Sequence, residues 1–426
     1  MLFLLLLYVV FFSGGGQNTP GPSASHHQTA LQAFPLHSPL NPDWKGDGKA
    51  VTLGFGGDVH FAGAVGTRLA ANPATALGDT FSQLFLGTQL RMVNLQTAIT
   101  DGTCPPPAQN KLYIFDAPAT SITALRSAGV NVATQANDHA IDCGPTGLAQ
   151  NLAIAAQTKF PIIGIGNNAA QAFAPYRIKI KGQRIAVIAA TQVIAANLVS
   201  TWSATTSQPG VAAALDPTEL ITAVQQARRT ADTVVVYLHW GTEVQACPNP
   251  QQEPLAQQLV NAGADIVIGT DAHVILGGGY LGSAYIDYGL GNFAFYDNIA
   301  PETSSGSLII TAIGRKITGA TFRPATILAG LPQPLTGAPA ATALQSWNSA
   351  RSCTNLASTP TASLASEKGE TSPFVAPTAP TAPTTTPPAG TGSTPTSSPT
   401  SSPTSSTAPP TTTAPPTTTA PTDNAG

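Results

Sequence analysis

Between Ala50 and Ala329 the chain alternates apolar, β-branched runs with Ala- and Leu-rich amphipathic stretches. KAVTLGFGGD, RMVNLQT, NVATQ, RIAVIAATQ, TVVVYLHWG and DIVIGTDAH read as buried strands, each bounded by polar or glycine residues. Residues 145–158, TELITAVQQARRTA and EPLAQQLVNAGA carry helical spacing. Strand, loop and helix in repetition predict an α/β fold whose strands are buried on both faces. In such folds ligands sit beyond the carboxyl ends of the strands.

Histidine placement points to the same end of the fold. Of seven histidines, His26, His27 and His37 lie in a polar N-terminal stretch. The other four, His60, His139, His239 and His273, stand in GGDVH, ANDHA, LHWG and GTDAH, all at predicted strand ends. Imidazole and carboxylate together are what a catalytic transition-metal site requires. Asp58 with His60, and Asp271 with His273, are spaced i, i+2, and beyond a strand both members of a pair are free to face one ion. Four such clusters from separate loops predict one shared site.

Composition narrows the classes. The net charge is −3 and only 9% of residues are charged, with no basic run, so nucleic-acid binding is excluded as an expectation. The start, MLFLLLLYVVFF, is twelve apolar residues, too short to span a bilayer comfortably and fitting the apolar part of a secretory signal. No Lys or Arg precedes Lys45, so either the signal is atypical or the true start lies upstream, and no Cys directly follows the run to accept a lipid. Residues 1–24 are expected to be a signal or membrane-anchor segment and 25–48 a linker. The domain proper is expected at 49–330, with 331–357 as its C-terminal extension. From 358 to 426 the chain is Pro, Thr, Ser and Ala with repeats such as PTSSPTSS, which bury no core and read as a disordered tail or a glycosylated stalk. Export to the cell envelope or beyond is the expected location. Four cysteines without CxxC spacing then favour two disulfides. Cys104–Cys143 with Cys247–Cys353 is the expected pairing, since Cys104 and Cys143 both closely follow motif segments.

Seven ordered segments carry a family resemblance: LGFGGDVHFAG, VNLQTAITDG, NVATQANDHAIDCG, FPIIGIGNN, VVVYLHWGTEV, GADIVIGTDAHVI and IDYGLGNFAFY. The chain resembles the CapA-type family associated with poly-γ-glutamate capsule biosynthesis, within the calcineurin-like metallophosphoesterase superfamily. The resemblance implies a four-layer α-β-β-α sandwich with one or two divalent cations at the strand ends. It implies that Asp58, His60, Gln96, Asp138, His239, Asp271 and His273 hold metal. His139 is implied to act on the substrate as the catalytic residue together with Asp58. Asn94, Glu243 and Asn292 are implied to line the substrate side.

Three positions depart from the family pattern. Gln96 stands where the family usually has Glu, Asp138 where it has Asn, and Asp271 where it has His. More oxygen and fewer imidazole ligands shift the preference toward Mn, Mg or Ca over Zn. The expected function is a metal-dependent hydrolase of an anionic polymer or phosphoester, working beside envelope polymer-synthesis proteins. The alternative is a non-catalytic envelope protein that binds or guides an anionic polymer, favoured by the neutral Gln96.

Overall fold

Side-chain parity along the central strands decides the layering. In Thr233–Trp240 every residue is buried, yet alternate residues enter different cores. Val234, Val236 and Leu238 pack with Leu220, Val224, Leu255 and Leu259 from two helices. Val235 and Tyr237 pack with Leu53, Phe55 and Met92, which belong to a second sheet. A strand buried on both faces needs apolar residues at every position, which is why TVVVYL shows no polar alternation. The second sheet repeats the pattern: Val93 and Leu95 turn away from the first sheet to meet Phe81, Phe85, Ile122 and Leu125.

The computed structural model describes residues 48–102, 104, 111, 113–296 and 299–361. The signal segment, almost all of the linker and the Pro/Thr/Ser tail beyond residue 361 lie outside the described residues. One sheet runs in the order Leu331–Pro334, Lys316–Leu328, Ser304–Ile313, Val51–Val59, Leu90–Leu95, Val132–Thr134, Ile162–Ile163, with Asn292–Ala294 also paired to Val51–Val59. The other runs Gly278–Leu281, Ala284–Asp287, Ile266–Asp271, Thr233–Trp240, Gln183–Thr191, Tyr176–Ile180. Helices Thr218–Arg228 and Gln252–Ala262 cover the outside of this sheet, and helices including Gly63–Ala71 and Thr120–Ser127 cover the outside of the first. The result is the four-layer α-β-β-α sandwich expected from the sequence.

Helix ends follow local chemistry. In Thr218–Arg228 the buried residues Leu220, Val224 and Ala227 recur at i, i+4 and i+7 and form one face. The Pro- and Gln-rich stretch before residue 258 leads into Gln252–Ala262, which stops at Gly263, whose φ of 115° closes the last turn. Both expected disulfides are formed, Cys104–Cys143 and Cys247–Cys353. Trp240 is core, its indole N–H donating to Tyr288 O at 3.1 Å.

The domain boundary expected at 330 falls inside a hairpin. Lys316–Leu328 pairs antiparallel with Leu331–Pro334, so the sheet continues past it. The helix Gly337–Ala350 then returns to the core, where Trp347 stacks on Phe322 with ring centroids 5.1 Å apart. The glycine run 277–279 packs closely against the end of this helix. A Cβ on Gly277 would meet the backbone of Ala350 and Arg351 at under 3 Å, so the glycines admit the end of that helix.

Two substitutions test this packing. A Cβ on Gly57 would lie 1.7 Å from Gly291 O, within the strand Val51–Val59, where Asp58 N–H donates to that same oxygen at 2.9 Å. Gly57→Ala is therefore expected to cost about 1–3 kcal/mol in urea unfolding. Asp287 is fully buried, and burial raises its carboxyl from 3.8 to about 7 against the opposing bond from Gly289 N–H. The folded chain thus keeps a proton that the unfolded chain has already released. Its stability falls as pH rises from the unfolded value to the folded one, by on the order of a few kcal/mol. Asp287→Asn should melt higher than the parent at about pH 8 and no higher at about pH 4.

Candidate metal centre

The strands deliver their polar ends to one place. Asp58 closes Val51–Val59 and His60 follows it; Asn94 lies in Leu90–Leu95 and Gln96 comes next. Asn137, Asp138 and His139 follow Val132–Thr134, and Asp271 ends Ile266–Asp271 two residues before His273. His239 has the parity of Val235 and Tyr237, so it terminates the inter-sheet layer.

Asp138, His239 and Asp271 converge, with one ligand atom of each lying within 4.8 Å of the others. His239 Nε2 is 3.2 Å from Asp271 Oδ1 and 3.7 Å from Asp138 Oδ1. The ring's other nitrogen, Nδ1, lies 3.3 Å from Thr191 Oγ1. The Thr191 hydroxyl spends its proton on the carbonyl of Val193 or His239, so Nδ1–H is the donor and Nε2 carries the lone pair. Burial lowers His239 to about 3, well below its ordinary value, so the ring is neutral. Desolvation pushes Asp138 up, but His139 and the Lys111 ammonium outweigh it and hold its carboxyl below the usual range. A lone pair therefore faces carboxylate oxygens across a few ångströms, an arrangement that repels itself unless a cation or a proton lies between.

Asp271 fits that requirement. Burial first, then the charges of Asp138, Asp58 and Glu243, push its carboxyl well above the ordinary value. Among the described residues the buried His239 Nε2 and Gln96 Oε1 have no hydrogen-bond partner, and Gln96 Nε2 is 3.5 Å from Asp138 Oδ1. Asp271 and His273 both hold positive φ, 99° and 57°, a strain of about 1–3 kcal/mol each that clusters at functional sites. The donor set, two carboxylates, an imidazole and an adjacent amide oxygen, suits a divalent cation. A second convergent group among the described residues, Cys104, Asp116 and Cys143, is no metal site because its two sulfurs are consumed in a disulfide.

Several expected ligands stand outside this group. His60 is buried among Phe115, Phe295 and Tyr296, stacked on Phe295 with centroids 4.0 Å apart. Its Nε2 accepts Tyr296 N–H at 2.8 Å, so that lone pair is taken. Asp58 lies behind the cluster, accepting Asn94 Nδ2 at 2.7 Å and Asp271 N–H at 3.4 Å, with His273 Nδ1 at 3.7 Å. Its role in this structure is to fix the backbone of Asp271. His273 Nδ1 donates to Asn292 Oδ1 at 2.7 Å.

Two residues expected to line the substrate side do not. Asn94 and Asn292 are fully buried. Asn94 bridges Asp58 and Asn137, and Asn292 bridges His273 and the carbonyl of Glu302. Both orient other site residues in the manner of second-layer partners to metal ligands. Glu243 is exposed and acts on Asp271 through its charge.

His139 stands beside the cluster with Nε2 3.4 Å from Asp138 Oδ2. Its Nδ1 is 2.6 Å from Asp142 Oδ2, which also accepts Phe115 N–H at 2.8 Å. Lys111 holds the other Asp142 oxygen at 2.7 Å and donates to the carbonyl of Asp138. Neither Asp142 nor Lys111 emerged from sequence reasoning. The i, i+3 spacing of Asp142 from His139 was the one available signal. A pocket of about 380 Å³ opens at Asp138, walled by Lys111, Gln192, Ile194, Leu198 and Trp202.

The family described as bacterial capsule synthesis protein PGA_cap matches residues 52–297. The chain belongs to this family. Over 225 residues it is 31% identical to the capsule biosynthesis protein CapA of Bacillus anthracis, covering 51% of this chain and 53% of that one. It is 34% identical over 176 residues to the PGA biosynthesis protein CapA of Bacillus subtilis (strain 168), covering 41% and 45%. A probable polyglutamine synthesis accessory protein of Mycobacterium tuberculosis is 27% identical over 195 residues, covering 44% and 50%. The chain thus spans about half the length of the curated relatives it matches. Among solved structures, a phosphatase from Mycoplasma pneumoniae has 12% identity and a TM-score of 0.41, covering 65% of this chain and 94% of its own. That likeness is too slight to decide anything.

Proposed function

We propose that this family member is an exported, metal-dependent hydrolase acting on an anionic cell-surface polymer, with a γ-glutamyl polymer as the substrate class and phosphoesters as the alternative. The observation that carries the reading is the lone pair of His239 Nε2 facing the carboxylates of Asp138 and Asp271, beside an oriented His139 and an open pocket. The polymer comes from the names of the relatives, two of which refer to capsule or PGA biosynthesis. Export is supported by two disulfides and by the apolar N-terminal run. Among the described residues no helix is long and apolar enough to cross a membrane.

Asp138, His239 and Asp271 would hold the cation, with Gln96 Oε1 as a further donor. A divalent ion there supplies Lewis acidity toward a substrate oxygen and an acidified water at neutral pH. The chain's own groups supply the rest. Asp142 fixes the His139 ring and stabilises it when protonated, so that Nε2 is positioned to give a proton to the leaving group. Lys111 and Phe115 N–H lock Asp142 in that role.

A second reading, polymer binding without turnover, draws on Gln96. The resemblance places a carboxylate there, and a neutral amide is a poor bridge between two cations. The experiment separating the two uses the full chain, stripped by chelator and reloaded with Mn, Mg, Ca or Zn. Turnover of a γ-glutamyl polymer or an aryl phosphate that appears only with the ion is the expected result. A folded, ion-loaded chain inert toward both substrates would overturn the hydrolase and leave polymer binding.

A further inference from the structure

The pocket beside Asp138 has a polarity that the cation cluster does not explain. Asp138 and Asp142 bring carboxylates to this end of the molecule, which disfavours an anionic substrate. Against them, one cation lines the pocket: Lys111, whose side chain is 13% exposed. Its Nζ carries three protons. One goes to the Asp138 carbonyl and one to Asp142 Oδ1. The nearby His139 Nδ1, at 3.4 Å, takes none, because that nitrogen already faces Asp142 at 2.6 Å. Among the described residues the third proton has no hydrogen-bond acceptor, although the ammonium also pairs with Asp138 Oδ2 at 3.7 Å. The ammonium also stands 5.1 Å over the buried Trp202 ring, which holds it in place without using a proton.

The rest of the lining is mostly apolar, with Ile194, Leu198 and Trp202, and includes the Gln192 amide. At about 380 Å³ the pocket sits at the small end of ligand sites. We propose that it is a subsite for a carboxylate on a short aliphatic stem flanking the scissile bond, with Lys111 as its anion-binding residue and Ile194, Leu198 and Trp202 packing its methylenes. This rests on the hydrolase reading only for the word scissile; the binding itself does not. A single uncommitted ammonium proton beside one amide matches a carboxylate, whereas phosphate sites usually gather more donors. Lys111 also ties the subsite to chemistry, since the residue that grips the ligand is the one that holds Asp142 against His139.

The test is calorimetric binding to the ion-loaded full chain of three probes: γ-glutamylglutamate, its fully amidated counterpart, and inorganic phosphate. Lys111→Gln is expected to weaken the dipeptide at least about tenfold, the loss of one charge-assisted hydrogen bond, and to leave the amidated probe unchanged. Lys111→Arg should retain most of the dipeptide affinity. Ala195→Glu, at an exposed position of the wall, should weaken the dipeptide alone by charge repulsion, which keeps the test open if Lys111→Gln does not fold. Equal losses for dipeptide and amide would reduce Lys111 to a structural role through Asp142 and overturn the proposal. Lys111-dependent binding of phosphate in preference to the dipeptide would overturn the carboxylate assignment. Dipeptide binding that responds as expected in a chain without turnover would sink the hydrolase and keep the subsite.

Discussion

His239→Ala is expected to abolish stoichiometric cation binding, lowering affinity by at least about 100-fold. Loss of an outer-shell partner alone typically costs about 10–100-fold, and His239 is the sole imidazole of the convergent group. The effect should be specific to the ion. Without the ion, the Nε2 lone pair makes no hydrogen bond, and its nearest neighbours are carboxylate oxygens. Truncation removes buried packing and the contact with the Asp271 carboxyl, so the ion-free variant should unfold at a somewhat lower denaturant midpoint than the parent. The ion-loaded parent should gain stability by mass action while the variant gains none. Ion content after dialysis, read beside a melting curve with and without Mn²⁺, checks both halves. A variant that still binds at parental affinity would place the ligands elsewhere.

His139→Ala is expected to separate chemistry from binding. Removing a general acid costs about 10²–10⁴-fold in turnover. His139 contributes no atom to the Asp138–His239–Asp271 group, so ion content should be unchanged. Asp142→Asn is a milder probe, because the amide still fills the space and its oxygen can accept from Lys111 or Phe115 N–H. Rates for the series parent, Asp142→Asn, His139→Ala should fall in that order at equal ion loading. If His139→Ala lost the ion together with activity, the residue would be a ligand and the acid would lie elsewhere.

The α/β class was legible because burial on two faces forces continuous apolar runs such as TVVVYL and DIVI, whereas the four-layer stacking followed only from the family resemblance. The location of the site was legible for a related reason. GGDVH, NDHA, LHWG and GTDAH each end such a run, and parallel strands bring those ends together. Ligand identity within the site was less legible, because i, i+2 spacing does not report which ring nitrogen is already engaged. His60 illustrates this: Tyr296 N–H, 236 residues away in sequence, takes its Nε2. The resemblance put Asn94 and Asn292 on the substrate side, because a motif match does not report burial. Only three-dimensional contacts reveal that one bridges Asp58 to Asn137 and the other anchors His273. Lys111 escaped notice because nothing local marks it. Its importance comes from contacts with Asp138, Asp142 and Trp202, at sequence separations of 27, 31 and 91. The C-terminal hairpin and helix were similarly silent, since Trp347 finds Phe322 only through the folded sheet.

The most direct test is calorimetric titration of the chelator-stripped full chain with Mn²⁺ in two buffers of different ionisation enthalpy. The account predicts binding at about one equivalent per chain with proton release, because the buried Asp271 carboxyl must give up its proton to the incoming ion. Affinity should accordingly rise with pH. A folded chain that takes up none of Mn, Mg, Ca or Zn, or that binds without releasing a proton, would contradict it.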